Sequence, residues 1–74
     1  MRVLLFGMIA EKAGAVEAHA AATSTDELKR ALEQRIDGLA AMSYALAVDS
    51  RIVNGDMPLT GNEEIALLPP FAGG

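Results

Sequence analysis

A chain of 74 residues has room for one small hydrophobic core, because a domain of this size buries only about 60% of the surface its unfolded form exposes. An apolar fraction of 51% argues against an intrinsically disordered chain, and the absence of cysteine excludes a disulfide scaffold or a thiolate metal site. A formal charge of −4, with Phe6, Tyr44 and Phe71 as the only aromatic residues, argues against a phosphate-neutralising or base-stacking surface for nucleic acid and suits basic patches on a protein partner.

Arg2 to Met8 is a short apolar run of strand-compatible residues and reads as a first strand. Extended to Ala10 it superficially resembles a secretory signal, but Glu11 and Lys12 interrupt it before any plausible cleavage site, and it is too short to span a bilayer. A cytoplasmic protein with no membrane attachment is expected. Val16-Glu17-Ala18-His19-Ala20 alternates with a period of two and reads as a second strand, joined to the first around Gly14.

Ser24-Thr25-Asp26-Glu27 fits a capping box, in which Ser24 accepts from the Glu27 amide while Glu27 reaches back, so a helix starts here. Leu28, Ala31, Leu32 and Ile36 share one helical face, Lys29, Arg30, Glu33 and Asp37 turn away from it, and Gly38 is placed to cap the C-terminus. Tyr44-Ala45-Leu46-Ala47-Val48 reads as a strand and Asn54-Gly55 as a turn signal. Ile65-Ala66-Leu67-Leu68 reads as a final strand stopped by Pro69-Pro70.

One amphipathic helix on a small mixed sheet gives an α+β domain. The first and last strand runs are apolar on both faces and suit central positions, yet one helix covers only one side, so the other side is expected to keep an apolar patch. Periodicity assigns Val3, Leu5, Leu28, Leu32, Ile36, Leu46, Val48, Ile65 and Leu67 to the core.

The conventional catalytic inventory is nearly empty. His19 is the only histidine and has no cysteine or second histidine with which to ligate a metal; it reads as a solvent-facing strand residue. Asp26 and Glu27 suit helix capping, Glu63 and Glu64 read as solvated charges at a strand entrance, and Gly61-Asn62 is turn chemistry. What remains is the terminus, Leu68-Pro69-Pro70-Phe71-Ala72-Gly73-Gly74. Two prolines stiffen it, and beyond Phe71 it loses nearly all side-chain bulk, so its last residues suit a narrow tunnel. At a glycine frequency of about 7%, two terminal glycines arise by chance in roughly one chain in two hundred.

With this terminus the whole chain resembles the ubiquitin-like sulfur carriers, and among them the small subunits of molybdopterin synthase. The matching residues are Phe6, Glu11 and Gly14, Leu28 and Leu32 in the helix, Ala47-Val48, Pro58-Leu59, the run Glu63 to Pro70, and Gly73-Gly74. Met8 and Ala10 depart from it, standing where basic residues are common, as does Phe71, at a position more often valine. Carriers of the thiamine pathway also end in two glycines but generally lack the prolines at 69 and 70.

The resemblance implies a ubiquitin-like β-grasp domain over residues 1–74 with a flexible tail at 69–74. It implies a carrier that is no enzyme on its own and binds no cofactor. A ubiquitin-activating-like adenylyltransferase would use ATP and magnesium to adenylate the Gly74 carboxylate, and sulfur from a persulfide would convert it to a thiocarboxylate. A synthase large subunit, in a heterotetramer with the carrier, would then receive the sulfur for a pyranopterin precursor of the molybdenum cofactor. Gly73 and Ala72 would accompany Gly74 into the partner's passage, and Leu59, Leu68, Pro70 and Phe71 would be partner-binding anchors. Sulfur transfer for thiamine or cysteine synthesis, and covalent modification of other proteins, are the competing functions.

Overall fold

The computed structural model describes residues 1–70. Strand β1 (Arg2–Leu5) alternates as a pleated strand should, with Val3 and Leu5 buried, Leu4 half-buried and Arg2 exposed. The strand ends sooner than the apolar run does. Phe6 is still extended, but Gly7 turns the chain at a φ of 55°, and residues Gly7–Ala13 form a helix, α1. This corrects the expectation of a strand continuing to Met8 and turning around Gly14. Gly14, at a φ of 71°, ends α1, its N–H donating to the carbonyls of Ala10 and Glu11. Ile9 is fully buried and Ala10 and Ala13 are packed against the core, whereas Met8, Glu11 and Lys12 are exposed, which is a helical pattern too short to stand out.

Strand β2 (Glu17–His19) returns antiparallel to β1, pairing Val3 with Ala18. Helix α2 (Thr25–Arg35) begins with the expected cap: Ser24 Oγ accepts from the Glu27 N–H at 3.2 Å. The Glu27 carboxylate reaches back to the Thr23 N–H at 2.8 Å. A second acid arrives from far along the chain. Asp56 Oδ1 accepts from the Asp26 N–H at 3.0 Å, and this donation holds the Asp56 carboxyl below its ordinary range. Beside it the hydroxyl of fully buried Thr25 accepts from the Met57 N–H at 2.9 Å and donates to the Gly55 carbonyl at 3.2 Å. The loop before β5 is thereby docked on the start of α2.

Helix α2 stops at Arg35, capped by Ile36. Gly38 lies beyond that cap, at a φ of 87°, and opens a short 3-10 turn (Leu39–Ala41) that sends Leu39 into the core. Strand β3 (Ala45–Val48) and strand β4 (Arg51–Ile52) form an antiparallel hairpin, with Val48 opposite Arg51. Its two turn residues are Asp49 and Ser50, at φ values of 49° and 70°, the positive pair that a tight hairpin needs. The tension of that conformation is held by reciprocal bonds. The Asp49 N–H donates to the Glu64 carbonyl at 2.8 Å, and Asp49 Oδ1 accepts from the Glu64 N–H at 2.9 Å.

Strand β5 (Ile65–Leu68) lies parallel to β1 and antiparallel to β3, giving the sheet order β2-β1-β5-β3-β4. The first and last strands are therefore internal, as their two-sided apolar character requires. All nine residues that periodicity assigns to the core are buried, at 5% exposure or less, and Ile9, Leu39 and Leu59 join them. Both helices contribute to this one cluster. On the opposite face Leu4, Ala45, Ala66 and Leu68 are only half-buried, and Ile52 is 51% exposed. A five-stranded mixed sheet with helices on one face is the ubiquitin-like β-grasp arrangement.

Candidate functional site

The fold brings one end of the molecule to a focus on the end of β5. Leu68 pairs with Ala45, and because Ile65 and Leu67 point into the core, Leu68 lies on the face away from the helices. Pro69 and Pro70 have no N–H to donate, so ladder pairing cannot continue through them. Pro69 is half-buried and Pro70 exposed. The start of α1 packs here: a Cβ built on Gly7 would stand 3.0 Å from Cγ of Pro69. A Cβ there would push the proline ring aside by a few tenths of an ångström, and glycine also takes the φ of 55° freely, so it suits this close approach.

Phe6 and Met8 flank Gly7 and are 46% and 53% exposed, so two large apolar side chains border the point where the chain leaves the sheet. Read as one strand with Val3 and Leu5 in the core, Arg2 to Met8 already puts Phe6 and Met8 on the opposite face; what that reading misses is that Gly7 turns the chain and places Met8 on a helix. Among the expected anchors, Leu68 and Pro70 sit at this end. Leu59 does not offer its side chain there: it is only 8% exposed and belongs to the core cluster, and its N–H donates to the Thr23 carbonyl at 2.9 Å. That corrects its reading as a surface anchor, and the reason is long-range, since its loop is drawn in by Thr25 and Asp56. Phe71, Ala72, Gly73 and Gly74 lie outside the described residues.

His19 and Glu63, among the remaining polar candidates, have structural partners. His19 is exposed on β2 with Nε2 2.8 Å from Glu17 Oε2. Glu63 organises the turn before β5, its carboxylate accepting from the Thr60 N–H at 2.8 Å, the Gly61 N–H at 3.0 Å and the Thr60 hydroxyl at 3.1 Å. These donors, the Thr60 N–H first, hold the Glu63 carboxyl at about 2 rather than the ordinary 4.5. A lowered folded pKa stabilises the native state above the ordinary value, and that contribution disappears as pH falls from about 4.5 to 2. The expected result is that Glu63→Gln lowers the urea midpoint at pH 7, with the gap from wild type narrowing steadily between pH 5 and 2. A gap independent of pH would remove the charge of Glu63 from the account.

Among the described residues no group of three or more His, Asp or Glu side chains is placed to hold a metal ion. Nor is any helix among them long and apolar enough to cross a membrane. A family model described as the ThiS family matches residues 3–74. A search of curated proteins finds no significant match.

Proposed function

The chain belongs to the ThiS family of ubiquitin-like sulfur carriers, and from that premise we propose that it carries sulfur on the C-terminal carboxylate of Gly74 for the synthesis of the molybdenum cofactor. Carriers of this family work with partner enzymes, and the chemistry proposed here is divided accordingly. A carboxylate at neutral pH resists nucleophilic attack, so an activating enzyme first transfers AMP from ATP, with magnesium, onto the Gly74 carboxylate and releases pyrophosphate. Attack by a persulfide sulfur expels AMP, and cleavage of the sulfur–sulfur bond by a thiol leaves a thiocarboxylate. The large subunit of molybdopterin synthase then holds a cyclic pyranopterin phosphate, to which the thiocarboxylate gives up its sulfur in building the dithiolene.

In this reading the carrier needs no bound cofactor and contributes a reactive end on a rigid mount. Ala72 and Gly73 enter the partner's passage with Gly74, while Leu68, Pro70 and Phe71 seat the carrier on its partners in the cytoplasm. The observation that carries the pathway assignment is the sequence in which β5 ends, Leu68-Pro69-Pro70, followed four residues later by Gly74. The placement of Pro69 against Gly7 supports it, since it fixes the first proline after β5.

Two measurements test the proposal in order. Intact mass after isolation from a cell with the pathway active should reveal one terminal oxygen replaced by sulfur. The thiocarboxylated chain, incubated with a candidate large subunit and the pyranopterin precursor, should return to the carboxylate form as the dithiolene appears. Sulfur delivered instead to an acceptor of thiamine or cysteine synthesis would keep the carrier chemistry and reassign the pathway. Attachment to lysines of other proteins would make the chain a modifier.

A further inference from the structure

The sequence holds two asparagines, Asn54 and Asn62, and the loop between β4 and β5 carries both. Asn54 is followed by Gly55, and the chemistry proposed for the terminus leaves this pair without a role. Both residues are exposed, and Gly55 takes a φ of 94° with open space around it, since a Cβ built there would find no heavy atom within 4 Å. Among the described residues neither the Asn54 side-chain amide nor the Gly55 N–H has a hydrogen-bond partner. The backbone nitrogen that follows an asparagine is placed to close a five-membered ring on Cγ, and glycine resists least because no Cβ stands beside the attacking atom.

Asn62 is placed differently. Its successor is Glu63, whose carboxylate is held in the turn by the N–H groups of Thr60 and Gly61, and the Asn62 N–H donates to the Thr60 hydroxyl at 3.4 Å. Asn54, by contrast, lies between two anchored neighbours. On one side the Val53 N–H donates to the Leu46 carbonyl at 2.9 Å. On the other, the Gly55 carbonyl accepts from Thr25 Oγ1 at 3.2 Å and Asp56 Oδ1 accepts from the Asp26 N–H at 3.0 Å. Residue 54 thus bridges β3 and the start of α2, and the length of its backbone matters.

We propose that Asn54 is a site of spontaneous modification, in which the Gly55 nitrogen displaces the Asn54 amide and the resulting isoaspartyl linkage releases the loop from the start of α2. The Gly55 nitrogen gives its proton to hydroxide and bonds to Asn54 Cγ. The Cγ–Nδ2 bond breaks, and the departing nitrogen takes a proton from water and leaves as ammonia. Water then opens the succinimide. Cleavage between Cγ and the nitrogen gives aspartate, and cleavage between the backbone carbonyl carbon and the nitrogen gives isoaspartate. Either product adds one negative charge to a chain whose formal charge is −4, but only isoaspartate routes the backbone through Cβ and Cγ and lengthens it by one carbon. With Val53 fixed to β3, that carbon shifts Gly55 and Asp56 away from Thr25 and Asp26.

The test holds the full chain in mildly alkaline buffer as wild type, Asn54→Gln and Asn62→Gln, beside a synthetic peptide of residues 51–58. Intact mass reads the conversion of amide to acid, and methylation by a purified isoaspartyl methyltransferase reads the isoaspartyl product. The wild type should convert within about tenfold of the peptide's rate, and Asn62→Gln should match it. Asn54→Gln should slow conversion by about tenfold or more, because glutamine must close a six-membered ring. The thermal midpoint of the isoaspartyl form, isolated by chromatography, should fall below those of wild type and Asn54→Asp, which carries the added charge on a normal backbone. A wild type slower than that margin, conversion lost in Asn62→Gln instead of Asn54→Gln, or an isoaspartyl form as stable as Asn54→Asp overturns the proposal.

Discussion

Deletion of Gly74 is expected to abolish ATP-dependent activation and thiocarboxylate formation while leaving the thermal midpoint of the chain unchanged. The deletion retracts the terminal carboxylate by up to about 3.6 Å, and a reacting atom misplaced by about 1 Å can already cost a hundredfold in rate. The reach of the carboxylate is measured from the end of β5, where Pro69 is packed against Gly7 of α1, and the deletion shortens the span available to it by one residue. The stability side of the prediction follows from the core. Among the described residues the buried cluster runs from Val3 to Leu67, and a chain end beyond the last strand is expected to add little to it. Two measurements on one variant check the claim: a thermal melt, and mass analysis after incubation with the activating enzyme, ATP and a persulfide donor. A truncated chain converted to thiocarboxylate at a normal rate would remove Gly74 from the chemistry. A melt lowered by many degrees would instead mean that the terminus contributes to the fold.

Leu32→Ala should have the opposite profile, a large loss of stability with the reacting end intact. Leu32 is fully buried in a cluster built from α1, α2, β1, β3 and β5. Truncation there removes transfer free energy and leaves a void that a core bounded by a sheet and two helices closes only in part, at a cost of about 2–5 kcal/mol. For a chain of 74 residues that is a large share of the roughly 5–15 kcal/mol that holds a typical domain together. The urea midpoint should fall sharply with the slope of the transition preserved, since the surface exposed on unfolding hardly changes. Below the melting temperature of the variant, activation at Gly74 should proceed at close to the normal rate. A midpoint equal to that of the wild type would take Leu32 out of the core.

The two variants separate what the fold does from what the terminus does.

The residues themselves determined the parts of this protein that depend on local pattern. Val3, Leu5, Ile65 and Leu67 are apolar at alternate positions, Leu28, Leu32 and Ile36 recur at helical spacing, and Ser24 with Glu27 marks a helix start by bonds that span three residues. Pro69-Pro70 ends a strand because proline has no N–H, and that too needs no neighbour to be read. The carrier reading of Gly73-Gly74 likewise comes from sequence. Tertiary structure alone decided the rest. The run from Val3 to Ala10 is apolar throughout and carries no period that separates strand from helix, so α1 exists because Ile9, Ala10 and Ala13 find the core only after Gly7 turns the chain. Asp49-Ser50 lacks the glycine that usually marks a tight hairpin, and its positive φ values persist because Asp49 is bonded to Glu64 across the sheet. Leu59 has the composition of a surface anchor in a polar loop, yet contacts thirty residues away in sequence, from Thr25 to Gly55 and from Asp26 to Asp56, draw that loop inward and bury it. Each of these features is fixed by partners distant along the chain, which is why a pattern of near neighbours does not contain it.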